Sequence, residues 1–241
     1  MFSISIVDQR TNKIFLIRDR FGIKPLYYYK DTSNNELTYC SEIEPLFENG
    51  HITKSANKKE IFKNLEYGIF NSTHETWYNR IMQVPPGHFL EISKNEIVLK
   101  KYYDLKSKIN EELDNNQKTF SYWSNKINNK IIKSFKEHSI TDVKTGLHIS
   151  GGADSTILGN ISKYIKKDLS AFTFTFEQNE MSEKKDSSEI AKKFNLKHNL
   201  LEINTKNLFD DILNVLKIQY EPFSSLRILA QHKLYEFSKE K

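Results

Sequence analysis

The sequence predicts an α/β plus α+β chain, an antiparallel strand-rich N-terminal region followed by a region built on a parallel sheet. Three observations predict it. Residues 1–103 run in short segments that alternate apolar and polar side chains between turns, the period-two signature of strands paired through hairpins. Residues 104–118 are polar, partly acidic and Asn-rich, the composition of a linker. From 119 onward strand-like and helix-like segments alternate, which argues for parallel strands joined by crossover helices. The expected domains are therefore 1–103 and 119–241.

Each element follows from its own residues. Phe2–Val7 and Ile14–Ile17 flank the polar turn Asp8–Lys13 and read as a hairpin. Pro25–Tyr29 is an aromatic strand, followed by a turn at Asp31–Asn35 and a strand at Leu37–Cys40. Short helices fit near 42–48 and 58–66, and Gly87–Ile92 pairs with Glu96–Tyr103 across Lys94-Asn95. Trp123, Ile127, Ile131 and Phe135 recur every fourth residue, one face of an amphipathic helix. Strands fit 144–149, 170–176 and 198–203; helices fit 155–166, 183–194, 207–217 and 227–238.

Composition narrows the function classes. Of 241 residues 38% are hydrophobic and 12% aromatic, enough for a real core. No run approaches the roughly 18 apolar residues of a membrane span. No basic leader precedes the strand pattern at Met1–Ile6, so the reading is a soluble cytoplasmic protein. A single cysteine, Cys40, excludes an internal disulfide, and the seven histidines show no HxxxH or HExxH spacing. The net charge of +5 comes from lysines spread along the chain among Glu and Asp, a solvated surface and not a nucleic-acid footprint.

The chemistry concentrates in Gly146-Leu147-His148-Ile149-Ser150-Gly151-Gly152-Ala153-Asp154-Ser155-Thr156. A strand, a glycine turn and a helix start are the parts of a phosphate seat. Glycines let the backbone approach an anion, and free N–H groups at a helix N-terminus favour negative charge. Ser150, Ser155 and Thr156 add hydroxyls. Asp154 is acidic where a phosphate would bind, so it either holds a metal ion or caps the helix. The same residues also fit an ordinary capped turn. Neither GxxxxGK[ST] nor GxGxxG is present, so Walker-type and dinucleotide sites are not supported.

Ser150–Ser155, SGGADS, is similar to the SGGxDS loop of the ATP-pyrophosphatase family, whose members cleave ATP to AMP and pyrophosphate while adenylating a substrate. The N-terminal half narrows the choice. Arg18-Asp19-Arg20-Phe21-Gly22-Ile23-Lys24-Pro25-Leu26-Tyr27-Tyr28 resembles the RDRxGxKPLYY signature of the glutamine-dependent asparagine synthetases. Ser41-Glu42, Val84-Pro85-Pro86-Gly87-His88 and Tyr102-Tyr103 match further positions of that pattern. The signature also fits a structural corner, and it marks the family better than a catalytic group. In the second half, Thr173-Phe174-Thr175-Phe176 resembles the family's adenine-side strand. Lys185–Ala191 resembles its DExxxA segment, with Ser187 where Glu is usual. Phe194–His198 and Glu221-Pro222-Phe223 resemble two shorter elements. Packing or capping explains these last matches equally well.

The resemblance implies a truncated N-terminal-nucleophile-type amidotransferase domain, antiparallel in sheet, followed by part of an adenine nucleotide α-hydrolase-like ATP-pyrophosphatase domain. It implies ATP and Mg²⁺, with aspartate and glutamine or ammonia as substrates and no nucleic-acid or membrane partner. It places cofactor binding at Ile149, Ser150, Gly151, Gly152, Asp154, Ser155, Thr156, Thr173 and Phe174, and the metal at Asp154. It assigns no role to Asp186 or Glu189. The family's glutaminase needs cysteine as first residue of the mature chain, since the free α-amine serves as base. Phe2 follows Met1 here and Cys40 lies inside a strand, so no catalytic residue is assigned. The family's second acidic, glycine-rich loop lies beyond the pattern covered. The expectation is an internal piece of such a ligase, with a homodimer or a partner carrying the missing segments left open. Two rival readings are a related adenylating amide ligase for another carboxylate and a truncated, non-catalytic nucleotide binder with open strand edges.

Overall fold

The computed structural model describes residues 1–241 apart from 32, 34–35, 49, 70–73, 95, 114–118, 165–168 and 178–181. Parts of the expected turns at Asp31–Asn35 and Lys94-Asn95 lie outside the described residues. The chain is mixed α/β, with antiparallel sheets in one compact unit and a parallel sheet in another. Met1–Asn115 with Ile218–Ser224 form the first unit; Asn116–Lys217 with Ser225–Lys241 form the second.

In the first unit β1 (Ser3–Asp8), β2 (Lys13–Arg18), β6 (His88–Ile92) and β7 (Ile97–Lys101) make one antiparallel sheet in the order β1-β2-β6-β7. β3 (Tyr27–Asp31), β4 (Glu36–Cys40) and β5 (Ile81–Gln83) make a second, in the order β4-β3-β5. Ser5 lies opposite Leu16, and Leu16 opposite Leu90, so these side chains share one face. That face packs on Leu26, Val84, Tyr28 and Tyr39, which joins the two sheets over a common core. The Ser5 and Tyr39 hydroxyls meet at 2.7 Å across it. The other face of the second sheet buries Tyr29 and Ile81 against Ile43, Leu46 and Ile52, with Leu46 on α1 (Glu44–Glu48). Each such aliphatic side chain contributes about 2 kcal/mol by leaving water.

β1 forms an outer edge of its sheet and leaves Ile4, Ile6 and Val7 exposed. α2 (Lys58–Tyr67) starts where the Asn57 side chain accepts the Glu60 N–H and ends at Gly68. Ile218–Ser224 packs with this unit: the Tyr78 hydroxyl donates to the Tyr220 carbonyl at 2.6 Å, and the Trp77 N–H donates to the Glu221 carboxylate at 3.2 Å. Burial raises the Glu221 pKa above the usual carboxylate range, although the Trp77 bond opposes it.

Two elements depart from expectation. β5 stands where no strand was predicted, its three residues pairing with β3, while Met82 also bridges Glu75. The stretch read as a linker contains α3 (Leu105–Leu113), while 114–118 lie outside the described residues.

The second unit holds β8 (Gly146–His148), β9 (Ser170–Phe176) and β10 (Lys197–Ile203), all parallel, in the order β10-β9-β8. One face buries Leu147, Ile149 and Ala171 against Phe135 of α4 (Phe120–His138) and Ile190 and Ala191 of α6 (Ser182–Lys193). α5 (Ala153–Ile161) follows β8, with a 3-10 turn at Ser162–Tyr164. On the opposite face α8 (Leu226–Lys239) sets Tyr235 against His148 and Phe237 against Phe172. α7 (Leu208–Gln219) lies between β10 and α8 in sequence. The α4 stripe is only half used: Phe135 packs on the sheet, whereas Ile127 is 55% exposed. Among the described residues no helix is long and apolar enough to cross a membrane.

Candidate functional site

β8 leads directly into the glycine turn. Ile149 is buried, its N–H donates to the Phe172 carbonyl at 2.9 Å, and its carbonyl accepts the Thr173 hydroxyl at 2.6 Å. The strand is thus locked up to the residue before Ser150. Gly151 then takes a φ of 78°, a conformation that L side chains resist. A Cβ at Gly151 would also stand 2.7 Å from the Cβ of Asp186 on α6. Backbone and neighbour therefore exclude a side chain independently.

Gly152 is the N-cap of α5 and brings no side-chain acceptor. Its carbonyl instead gathers three donors: the Thr156 N–H at 3.0 Å, the Thr156 hydroxyl at 2.8 Å and the Ser155 hydroxyl at 3.0 Å. The Ser155 hydroxyl also accepts the Ser150 N–H at 3.3 Å, which spans the loop. Among the described residues none accepts a hydrogen bond from the backbone amides of Gly151, Gly152, Ala153 or Asp154. Four N–H groups at the positive end of a helix dipole are an arrangement able to receive an anion.

The residues singled out from the sequence divide into two groups. Ser150, Gly152 and Asp154 are exposed at the mouth of the turn, with Thr156 partly covered. Ile149, Ser155 and Thr173 are buried and turned inward. The Thr173 hydroxyl is committed to Ile149 and to His198, so direct ligand contact by that hydroxyl gives way to support of the loop from beneath. Phe174 is half-buried, its ring 6.1 Å from that of Phe176.

Two residues enter the picture that sequence reasoning left without a role. Asp186 is exposed and flanks Gly151, which sets a second carboxylate beside the turn. His198 reaches Thr173 with Nε2 at 2.9 Å, and burial holds its imidazole below the ordinary histidine range. Both lie in segments whose resemblance the sequence shows, Lys185–Ala191 and Phe194–His198, but their roles stayed open because both contacts join positions far apart in the chain. Among the described residues no group of three or more His, Cys, Asp or Glu side chains could hold a metal by itself.

The other sequence signature folds into a saturated corner. Arg18, 8% exposed, donates Nε to the Lys24 carbonyl at 3.0 Å, Nη1 to the Val84 carbonyl at 2.8 Å and Gln83 Oε1 at 2.9 Å, and Nη2 to the Gly22 carbonyl at 3.0 Å. The Asp19 carboxylate accepts backbone N–H groups from Phe2, Phe21, Ile23 and Lys24. Burial works against its charge, but these donors outweigh burial and lower the carboxyl to about 2. Gly22, with φ 66°, closes the turn where a Cβ would stand 2.8 Å from Pro86 Cγ.

Comparison with known proteins assigns both halves. Residues 1–103 match the family model described as a glutamine amidotransferase domain, and residues 126–241 match that described as asparagine synthase. Asparagine synthetase (glutamine-hydrolyzing) 2 of Bacillus subtilis is 33% identical over 197 residues, which cover 72% of this chain and 24% of the relative. Asparagine synthetase (glutamine-hydrolyzing) 1 of the same organism is 30% identical over 189 residues, covering 76% of this chain and 28% of the relative. The chain thus spans only 24% and 28% of the length of these curated relatives. An NH3-dependent NAD synthetase from Campylobacter jejuni aligns with a TM-score of 0.34 and 19% identity over 48% of this chain and 52% of its own, too remote in shape to carry an argument.

Proposed function

We propose, from the premise that this chain belongs to the asparagine synthetase family, that its second unit seats the phosphates of ATP at Ser150–Ser155 and serves ATP-dependent amide formation. The observation that carries the proposal is the set of four uncommitted amides, Gly151 to Asp154, at the start of α5. In the reaction an oxygen of the aspartate β-carboxylate attacks the α-phosphorus of ATP, and the bond to pyrophosphate breaks. Ammonia derived from glutamine then attacks the acyl carbon, and AMP leaves. The amides at the loop face the charge that grows on the departing pyrophosphate, where fixed donors stabilise it without reorganising.

The parallel order β10-β9-β8, with the loop at the C-terminal end of β8, supports an ATP-pyrophosphatase-type unit. The two packed antiparallel sheets support reading the first unit as part of an N-terminal-nucleophile-type amidotransferase. Mg²⁺ fits the exposed carboxylates at the turn, since it takes one or two carboxylates and fills its remaining positions with water and phosphate oxygens. Asp154 would hold it, with Asp186 close beside Gly151. When bound, the ion neutralises charge on the phosphates.

Calorimetric titration of the chain with ATP and inorganic pyrophosphate, with and without Mg²⁺, tests the seat. Binding of both, strengthened for ATP by Mg²⁺, is expected; absence of binding sinks the proposal. Carboxylate-dependent exchange of pyrophosphate into ATP tests the substrate. Exchange driven by another acid and not by aspartate would point to a related ligase.

A further inference from the structure

A line of hydrogen bonds crosses the parallel sheet beneath the loop. His198 on β10 reaches Thr173 on β9 at 2.9 Å, and Thr173 reaches the carbonyl of Ile149 at 2.6 Å. Ile149 is the residue before Ser150. Proton bookkeeping fixes the direction. The Thr173 hydroxyl has one hydrogen, and the Ile149 carbonyl can only accept it. The Thr173 oxygen is then left to accept, so His198 Nε2 carries the donating hydrogen. On the other side of the ring, the Ser188 hydroxyl gives its hydrogen to the Lys184 carbonyl at 2.7 Å. At 3.4 Å from Nδ1 it presents only lone pairs. The ring is therefore pinned by a single strong contact, toward Thr173.

Thr173 is 3% exposed and Ile149 1% exposed. Water does not replace a missing partner in such a place, and an unmade bond is felt in full. We infer that His198 is a positioning residue for the loop: through Thr173 it holds the Ile149 carbonyl and so fixes where Ser150 and the uncommitted amides begin. The inference rests on the proposal that those amides bind phosphate. His198 itself touches no ligand in this scheme. It acts as a neutral donor at the far end of a two-bond relay that crosses three strands.

Binding of inorganic pyrophosphate, paired with amide hydrogen exchange of the free chain, tests it. His198→Phe keeps the ring volume and removes the donor. Thr173→Val keeps the shape and removes the hydroxyl. Each should weaken pyrophosphate about five-fold, the loss of one buried hydrogen bond. The double variant should bind no more weakly than Thr173→Val alone, because both changes cut one relay. His198→Gln, whose amide N–H lies near the position of Nε2, should restore affinity and slow exchange across Ser150–Asp154 relative to His198→Phe. Wild-type affinity in His198→Phe, or a Gln variant as weak as the Phe variant, overturns the inference. If His198→Phe does not fold, His198→Asn replaces it: its amide is too short to reach, and equal binding by the Asn and Gln variants is the overturning result. Failure of the unaltered chain to bind pyrophosphate or ATP defeats the phosphate proposal itself. Exchange that is the same in all variants then defeats the relay as well.

Discussion

The Arg18–Lys24 corner and the Ser150–Ser155 loop are both turns closed by a glycine in the left-handed region, and they treat their hydrogen bonds in opposite ways. At the corner the two buried charged side chains meet protein partners: four N–H groups converge on Asp19, and Arg18 serves three carbonyls and Gln83. At the loop the carbonyl of Gly152 is crowded while four successive amides have no protein acceptor among the described residues. Both segments look equally distinctive in the sequence. What separates the structural corner from the proposed ligand seat is which groups remain uncommitted after folding.

The sharpest way to test this contrast is to damage the corner. Arg18→Met leaves four acceptors, among them the Gly22, Lys24 and Val84 carbonyls, without their buried cation. It should destabilise the first unit by about 3 kcal/mol, seen as a lower midpoint in urea unfolding, while pyrophosphate binding by the second unit is retained. Loss of binding with an unchanged midpoint would reverse the roles assigned to the two turns. Damage to the loop should do the opposite. Gly151→Ala adds strain at φ 78° and a clash with Asp186. Calorimetry should show pyrophosphate affinity down by at least about 30-fold, as expected for about 2 kcal/mol of strain, with near-native circular dichroism.

Acid offers a further separation. The Asp19 carboxyl is lowered in the folded chain to about 2, against an ordinary 3.8. Between these values the unfolded chain binds the extra proton, so stability rises with pH. The contribution, about 2 kcal/mol, is fully present above about pH 5 and disappears as pH falls through 2. Urea unfolding of wild type should show this acid loss, and Asp19→Asn should flatten it; an equally steep profile in the variant would remove Asp19 as its source. The smallest expected effect is at the metal. Asp154→Asn should reduce the Mg²⁺ enhancement of ATP binding about ten-fold, leaving metal-free pyrophosphate binding nearly unchanged. Equal loss with and without the ion would make Asp154 a helix-capping residue.

Much of the frame could be read from the sequence because its signals are local. The hairpin at Ser3–Arg18, the alternating strands and helices of the second unit and the strand-turn-helix at 146–161 all follow from short-range periodicity and glycine placement. β5 escaped because Ile81-Met82-Gln83 is too short to show a period and exists through its pairing with Tyr27–Tyr29. α3 escaped because polar composition drew attention from Leu105 and Ile109, spaced four apart but both exposed. At the site, the loop itself was legible and its surroundings were not. Asp186 lies beside Gly151, and Glu221 accepts from Trp77, through contacts that no local pattern announces. The inward turn of the Thr173 hydroxyl depends on Ile149 after β8 and His198 on β10, which the family resemblance of Thr173–Phe176 does not disclose.

The crowding on the Gly152 carbonyl has a further meaning. To grip an anion with their hydrogens, the Ser155 and Thr156 hydroxyls must let go of that oxygen, so each such contact trades one bond for another. The amides surrender only water. If phosphate binds as proposed, its recognition would be written mainly in the polypeptide backbone, and a side chain such as that of Ala153 would matter less than the path of the main chain that carries it.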